Sequence, residues 1–330
     1  MPSPFKTTIH LLYFHLLALL SSASALYVHI SAAMGKKGKK AQAGKPKKLT
    51  PKDIGKRLNA LAKNLEEELE GADLFAPLPP TEDCAICLVP LSRLNSEVLY
   101  KACCGKEICL ACYMENEASI KKQNEEENGG KKVVFTCAFC REPEPARDDG
   151  GREYLHQIQS RCLKNDPIAF AHMGEIYQGG ARETPKDNLK ALDCWIKAVE
   201  LGSPHACTYI GINYDEGNGV AVDKKRAALF ARTGALRGEI VARHNIGISE
   251  YKSANHEIGI RHWKISAEAG HQPSLDVLRD IYNDKEPGNE FISKEYLDSA
   301  YRSGHEAQME IKSEEREKHS GTNALKGRSR

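Results

Sequence analysis

The chain has 330 residues, 41% hydrophobic and 28% charged, enough for about two domains of ordinary size with cores of their own. A formal net charge of +2 excludes a general nucleic-acid binder, and no sequence-specific nucleic-acid partner is expected. Of eleven cysteines, Cys162, Cys194 and Cys207 are scattered and the other eight lie between Cys84 and Cys140, which points to metal binding in a reducing compartment rather than to a disulfide framework.

In chain order, residues 1–34 come first. Lys6 is their only Lys, Arg, Asp or Glu, Ile9 to Leu20 is almost wholly apolar, and Ala23-Ser24-Ala25 fits a small-residue cleavage site. Two readings stand open. A true signal peptide in the N-terminal 25 residues places the protein in the secretory pathway. A mis-assigned segment ahead of a start at Met34 places it in the cytoplasm or nucleus, where clustered thiols stay reduced. The apolar run is too short to cross a bilayer, so no transmembrane span is expected. Residues 35–50 form a Lys-rich tract: ten Lys or Arg and a single acid, Asp53, fall between Gly35 and Arg57. Disorder is expected there: the tract reads as a solvated tail, with a nuclear localisation signal or a weak nucleic-acid or anionic-membrane patch as the functional alternatives. No aromatic residue lies in it to stack single-stranded bases.

Residues 51–80 read as an amphipathic helix and linker. Thr50 is the expected cap and Pro51 the first helical position. Ile54, Leu58, Leu61, Leu65 and Leu69 make one apolar stripe, expected to pack on the cysteine-rich domain that follows. Leu78-Pro79-Pro80 ends the segment.

The cysteines then run Cys84-x2-Cys87, Cys103-Cys104, Cys109-x2-Cys112 and Cys137-x2-Cys140. A two-residue gap lets one tight turn present both sulfurs to a tetrahedral ion. Four sulfur pairs make two closed four-ligand sites, structural rather than catalytic, and Zn2+ (two ions) is the expected cofactor. Residues 121–132, KKQNEEENGGKK, read as a solvated loop within this region, and 143–152, PEPARDDGGR, as a linker.

This cysteine order resembles the RING-type zinc finger, in its all-cysteine variant, over residues 81–145. The resemblance implies interleaved ligand sets: Cys84, Cys87, Cys109 and Cys112 on one zinc, Cys103, Cys104, Cys137 and Cys140 on the other. Lys106 stands where the commonest pattern has histidine; an ammonium offers no lone pair, and the adjacent Cys103 can take that role. RING domains that act as ubiquitin ligases hold a ubiquitin-charged conjugating enzyme and contribute positioning rather than a covalent step. By resemblance, Ile86 is a contact for that enzyme, and Arg141, after the last cysteine, is the basic residue that pins ubiquitin against it. Ala138 departs from the family's usual proline.

From 154 to 310 the pattern is helical with a period near 36 residues. Gly174-x2-Tyr177, Gly211-x2-Tyr214 and Gly247-x3-Tyr251 recur in step, as do Ala198-x3-Gly202, Ala235-x2-Gly238, Ala267-x2-Gly270 and Ala300-x3-Gly304. Each unit reads as two helices, with small residues at the crossing, aromatics such as Trp195, Phe230 and Trp263 between them, and a glycine ending the second helix. These segments resemble Sel-one-like repeats, relatives of the tetratricopeptide repeat, in three clear units and one partial. Such solenoids commonly bind proteins or extended peptides. Cys162, Cys194 and Cys207 read as buried small hydrophobes, His172, His205, His244, His262 and His271 as structural or surface residues, and 311–330 as a polar tail.

The fold class expected is therefore mainly α: a small treble-turn zinc-bound RING domain followed by an α-solenoid of helix-pair repeats. The function expected is that of a ubiquitin ligase whose partners are a ubiquitin-conjugating enzyme and a protein substrate or peptide on the repeats. The alternative is a non-catalytic, zinc-stabilised adaptor or scaffold.

Overall fold

Most of the helices begin where the sequence supplies a side chain to cap them, among them Thr50, Asp166, Asp187, Ser203 and Asp223. The computed structural model describes residues 49–127, 133–145, 151–180 and 184–310. The signal-like segment, nearly all of the Lys-rich tract and the polar tail lie outside the described residues. Helix α1 (Pro51–Leu69) starts with Thr50 accepting from the Asp53 N–H at 3.2 Å and with Pro51 at its first position. After a short 3-10 turn (Asn95–Glu97), strands β1 (Val98–Lys101) and β2 (Lys106–Cys109) form an antiparallel hairpin, Val98 opposite Cys109 and Lys101 opposite Lys106. Helix α2 (Leu110–Glu127) follows directly. The remainder, as described, is α3 (Arg152–Cys162), α4 (Pro167–Gly179), α5 (Asn188–Glu200), α6 (Pro204–Glu216), α7 (Lys224–Leu236), α8 (Ile240–Lys252), α9 (His256–Glu268), α10 (Gln272–Asp284) and α11 (Lys294–Glu310).

These helices pair as α4/α5, α6/α7 and α8/α9, with α10/α11 as the partial fourth unit. Close crossing is made by glycine under an aromatic ring. A Cβ on Gly174 would fall 2.3 Å from Trp195 Nε1, and the indole N–H donates to the Ala171 carbonyl at 3.2 Å. Trp263 repeats the arrangement over Gly247, donating to the His244 carbonyl at 3.1 Å. Asp187 and Asp223 cap α5 and α7, whereas Asn255 makes no side-chain cap to α9, which matches the looser third unit. Gly304, expected to end a helix, lies inside α11, which continues to Glu310. Cys207 is buried as expected, while Cys162 and Cys194 are half-buried.

The apolar stripe of α1 packs on the repeats, not on the cysteine-rich domain. Ile54, Leu58, Leu61 and Leu65 share one core with Leu192, Ile196, Val199 and Phe230 of α5 and α7, while Leu69 at the end is half-buried. Period fixes which side chains share a face but not what covers that face. Polar contacts frame the seam: Arg57 pairs with Asp193, and Arg237 makes two bonds to Glu68 at 2.9 and 2.7 Å. Beyond α1, Phe75 lies 4.7 Å from the His262 ring and under the Arg261 guanidinium at 3.8 Å. The N-terminal segment thus runs along the second helices of three successive units. Residues 121–127 also depart from expectation, being helical rather than loop. Their Lys, Gln and Glu are good helix formers, and α2 continues through them, with Lys121, Lys122 and Gln123 exposed.

Three buried histidines sit in the third and fourth units. Ser274 Oγ lies 2.8 Å from Nδ1 of both His244 and His271; a hydroxyl donates only one proton, so one ring accepts it and the other donates. Burial first, and the nearby His271, push His244 down to about 3; burial pushes His271 down to about 4 against the opposing pull of Glu239. Burial and then Arg243 push His262 down to about 4.

Two outcomes follow from this packing. Leu58→Ala should destabilise the repeats by about 2–5 kcal/mol, read by denaturant unfolding, with the metal content of the cysteine-rich domain unchanged; metal loss at unchanged repeat stability would mean the stripe packs elsewhere. Because the three histidines titrate lower folded than unfolded, their contribution is present above the ordinary 6.5 and lost as pH falls toward about 4. Protection factors of amides within 240–284, corrected for the intrinsic slowing of exchange at lower pH, should therefore fall between pH 6.5 and 4, and less so in His271→Gln.

Candidate metal centre

Two equivalent turns carry the outer cysteine pairs. In the first, Cys84 N–H donates to Val89 O at 2.8 Å and Leu88 N–H to Cys84 O at 3.0 Å. In the second, Cys137 N–H donates to Glu142 O at 2.8 Å and Arg141 N–H to Cys137 O at 3.0 Å. Isolated bridges, Asp83 to Pro90 and Thr136 to Pro143, close the two turns in the same way. The residue after each second cysteine, Leu88 or Arg141, takes a left-handed φ, +58° and +63°, which costs about 1–2 kcal/mol for a side chain other than glycine. Turn geometry therefore sets the Arg141 backbone. The expected linker from 143 begins later, because Pro143 belongs to this bridge and Glu144 pairs with Lys101.

The other two pairs come from the hairpin. Cys103 and Cys104 sit in the turn between β1 and β2, bent by Gly105 at φ +71° with its N–H on Lys101 O at 2.7 Å. Cys109 ends β2 and Cys112 lies in the first turn of α2. The result is two groups, Cys84, Cys87, Cys109 and Cys112, and Cys103, Cys104, Cys137 and Cys140, with the four sulfurs of each within 4.8 Å of one another.

Both groups can hold a metal ion. Sulfurs at about 2.3 Å from a tetrahedral ion stand about 3.8 Å apart. The observed separations are 4.0 Å for Cys87 and Cys109, 3.9 Å for Cys104 and Cys137, and 3.5 Å for Cys103 and Cys140. As free thiols the groups resist full ionisation. Burial and then Cys109 push Cys112 well up, and burial and then Cys140 push Cys103 well up. Burial also raises Cys84, but N–H groups of Cys109, Cys87 and Ile86 outweigh it and bring it down to about 7. A cation is the charge that lets four thiolates share such a volume. The first group is the more enclosed: Cys84, Cys109 and Cys112 are buried and Cys87 half-buried. In the second, Cys137 is buried, Cys103 and Cys104 are half-buried and Cys140 is exposed.

Ile86 and Arg141 lie on separate turns, both exposed, Ile86 at 40%. Arg141 Nη1 stands 3.5 Å from Asn116 Oδ1 on α2, and Asn116 in turn donates to Thr136 O at 2.9 Å. Ala138 is half-buried and packs on the domain's own core.

The cysteine spacing gave no sign of what the hairpin rests on. Ala102, between Tyr100 and Cys103, packs with Ile158 of α3 and Ala169 and Met173 of α4. Tyr100 donates to Asp166 Oδ2 at 2.7 Å and stacks on His172 with centroids 5.4 Å apart. Arg161 holds the same carboxylate at 3.0 and 2.9 Å, and its guanidinium lies where a Cβ on Gly105 would stand, 1.8 Å from Nη2. Asp166 also caps α4, accepting from the Ile168 and Ala169 N–H groups. Aspartate followed by proline is a sequence signal for a helix start that the repeat period did not single out, and nothing in the sequence signals the second role of Asp166 toward Tyr100.

Residues 167–203, 204–239 and 244–271 match the Sel1 repeat, so the repeats are Sel1 repeats, which are protein-interaction modules. Three solved structures are similar. A Sel1 repeat protein from Oxalobacter formigenes is 25% identical (TM-score 0.42) over 49% of this chain and 66% of its own. A protective antigen of uropathogenic Escherichia coli displaying an SLR fold is 24% identical (TM-score 0.38) over 46% and 33%. An immunity protein from Pseudomonas aeruginosa is 16% identical (TM-score 0.30) over 48% and 74%. The chain spans less than two thirds of the first two. No curated protein matches the chain. Among the described residues no helix is long and apolar enough to cross a membrane.

Metal titrated into the stripped chain should saturate at two equivalents, one per cysteine group. Cys84→Ser should leave one, counted by native mass spectrometry; two retained ions in that variant would contradict the four-sulfur assignment.

Proposed function

We propose that the two cysteine groups bind Zn2+ in a RING-type domain over residues 81–145, and that the protein is a ubiquitin ligase whose Sel1 repeats hold the protein to be modified. The observation that carries this reading is the interleaved grouping of eight cysteines into two four-sulfur sets, the first pair with the third and the second with the fourth. All-thiolate tetrahedral sets favour zinc or an iron–sulfur cluster, and closed sets of this kind stabilise a fold. Zinc here supplies the cross-link that holds the turns; the protein's own residues do the rest.

In this reading Ile86, on the first turn, offers an apolar contact to a ubiquitin-charged conjugating enzyme. Arg141 offers a planar, permanently charged fork that bridges carbonyl oxygens of that enzyme and of ubiquitin. Both side chains are exposed, as such roles require. Catalysis is by positioning: the thioester is held in one conformer for attack by a lysine of the protein on the repeats, with no covalent step on this chain.

A non-catalytic adaptor is the second reading, favoured by Ala138, whose small side chain is half-buried in the domain's own core rather than presented to a partner. The two separate on one assay. As a ligase, the chain from residue 35 to 330, loaded with zinc, accelerates ubiquitin discharge from at least one charged conjugating enzyme. Arg141→Ala should lower that acceleration about tenfold or more, a loss of roughly 1.4 kcal/mol or more of transition-state stabilisation. Ile86→Ala should weaken enzyme binding with both zincs retained. No acceleration from any enzyme, with two zincs bound, leaves the adaptor.

A further inference from the structure

We infer that the outer cysteine group, Cys103, Cys104, Cys137 and Cys140, is an oxidation-labile metal site, and that its opening releases the first Sel1 repeat from the hairpin. The inference rests on the reading of both groups as metal sites. Its basis is the unequal exposure of the two groups together with what the outer one is attached to.

Oxidation is selective for sulfur that solvent can reach. Cys140 is the exposed member of the eleven cysteines, and its Sγ lies 3.5 Å from that of half-buried Cys103. A disulfide needs about 2.05 Å, so a shift of about 1.5 Å closes the bond. In the inner group three of four sulfurs are buried. Cys137 is buried, and of the two half-buried sulfurs Cys103 is the one in contact with Cys140, so the pair open to an oxidant is Cys140 with Cys103.

The step balances with a peroxide as oxidant. The Cys140 thiolate attacks one peroxide oxygen, forming a sulfenic acid while the other oxygen leaves as water after taking up a proton. The Cys103 thiolate then attacks that sulfur, forming the S–S bond; the departing hydroxide takes a proton and becomes a second water. The two sulfurs together lose two electrons, the peroxide gains two, and the divalent ion, left with two thiolates of four, is released to solvent.

Consequences travel through the hairpin turn itself. Residues 101–106 supply two of the outer ligands and, through Ala102 and Gly105, the surface against α3 and α4. Tyr100, one residue before that turn, donates to Asp166 at 2.7 Å, and Asp166 caps α4 at Ile168 and Ala169. Drawing Cys103 toward Cys140 displaces Ala102 and Tyr100 from those partners. The first repeat then loses a contact that holds its cap, while α8 to α10, which the hairpin turn does not touch in this way, keep their packing.

The test uses the full chain loaded with metal and titrated with hydrogen peroxide. Native mass spectrometry counts ions, non-reducing peptide mapping locates disulfides, and hydrogen exchange compares 152–173 with 240–284. Expected are release of one ion before the other, a metal-free mass about 2 Da below that of the fully reduced chain, in which both thiols carry hydrogen, and a Cys103–Cys140 disulfide. Exchange should rise severalfold in 152–173 and stay unchanged in 240–284, and a thiol reductant with added zinc should restore both. Simultaneous loss of both ions, a disulfide within Cys84, Cys87, Cys109 and Cys112, or unchanged exchange in 152–173 after one ion leaves would overturn the inference. An untreated chain that binds no ion would overturn the metal reading as well.

Discussion

One buried carboxylate holds the two halves of this protein together. Asp166 is 8% exposed and accepts from four donors, the N–H groups of Ile168 and Ala169, the Tyr100 hydroxyl and Arg161 Nε, with Arg161 Nη2 in ion-pair contact at 2.9 Å. A buried charge is tolerated only when its partners are in place, and removing one leaves a penalty of several kcal/mol with the rest. Its partners come from β1, from α3 and from the first turn of α4. The cysteine-rich hairpin and the start of the Sel1 array are therefore fixed by the same group.

Around that point the repeats are gripped from two sides. Helix α1 and Phe75 lie along the second helices of successive units, covering apolar surface a solenoid would otherwise leave to solvent. The hairpin lies on α3 and on α4, the first helix of the first unit, through Ala102 and through Tyr100 against His172. The chain crosses between the two sides beside Gly238, where Pro79 and Arg93 both approach the backbone closely and Arg93 donates to the Pro79 carbonyl. A solenoid clamped in this way is more than a string of nearest-neighbour contacts. For a ligase, fixed geometry sets how far a bound lysine stands from the thioester; for an adaptor, it sets the spacing of two partners.

Much of the architecture was legible in the residues. The cysteine spacing announced two four-sulfur groups because metal ligation imposes short, fixed gaps, and recurrent glycine, alanine and aromatic positions announced helix pairs because close crossing admits few residue types. What could not be read was long-range. The α1 stripe specified a buried face, but not that Leu192 and Phe230 would cover it. Tyr100 and Asp166 are distant in sequence, and neither has a pattern that links it to the other. KKQNEEE looked like loop because polarity masked its helix propensity, and Gly304 looked like a terminus because the last unit keeps the composition of the repeat without its turn.

With Asp166 shared between them, the cysteine-rich domain and the Sel1 repeats move as one body. Residual dipolar couplings measured on backbone amides of residues 81–145 and 167–284, in the metal-loaded protein, test it. A single alignment tensor fitting both sets is the predicted result. Two tensors of different magnitude or orientation would mean independent domains, and the Asp166 junction would then not hold them.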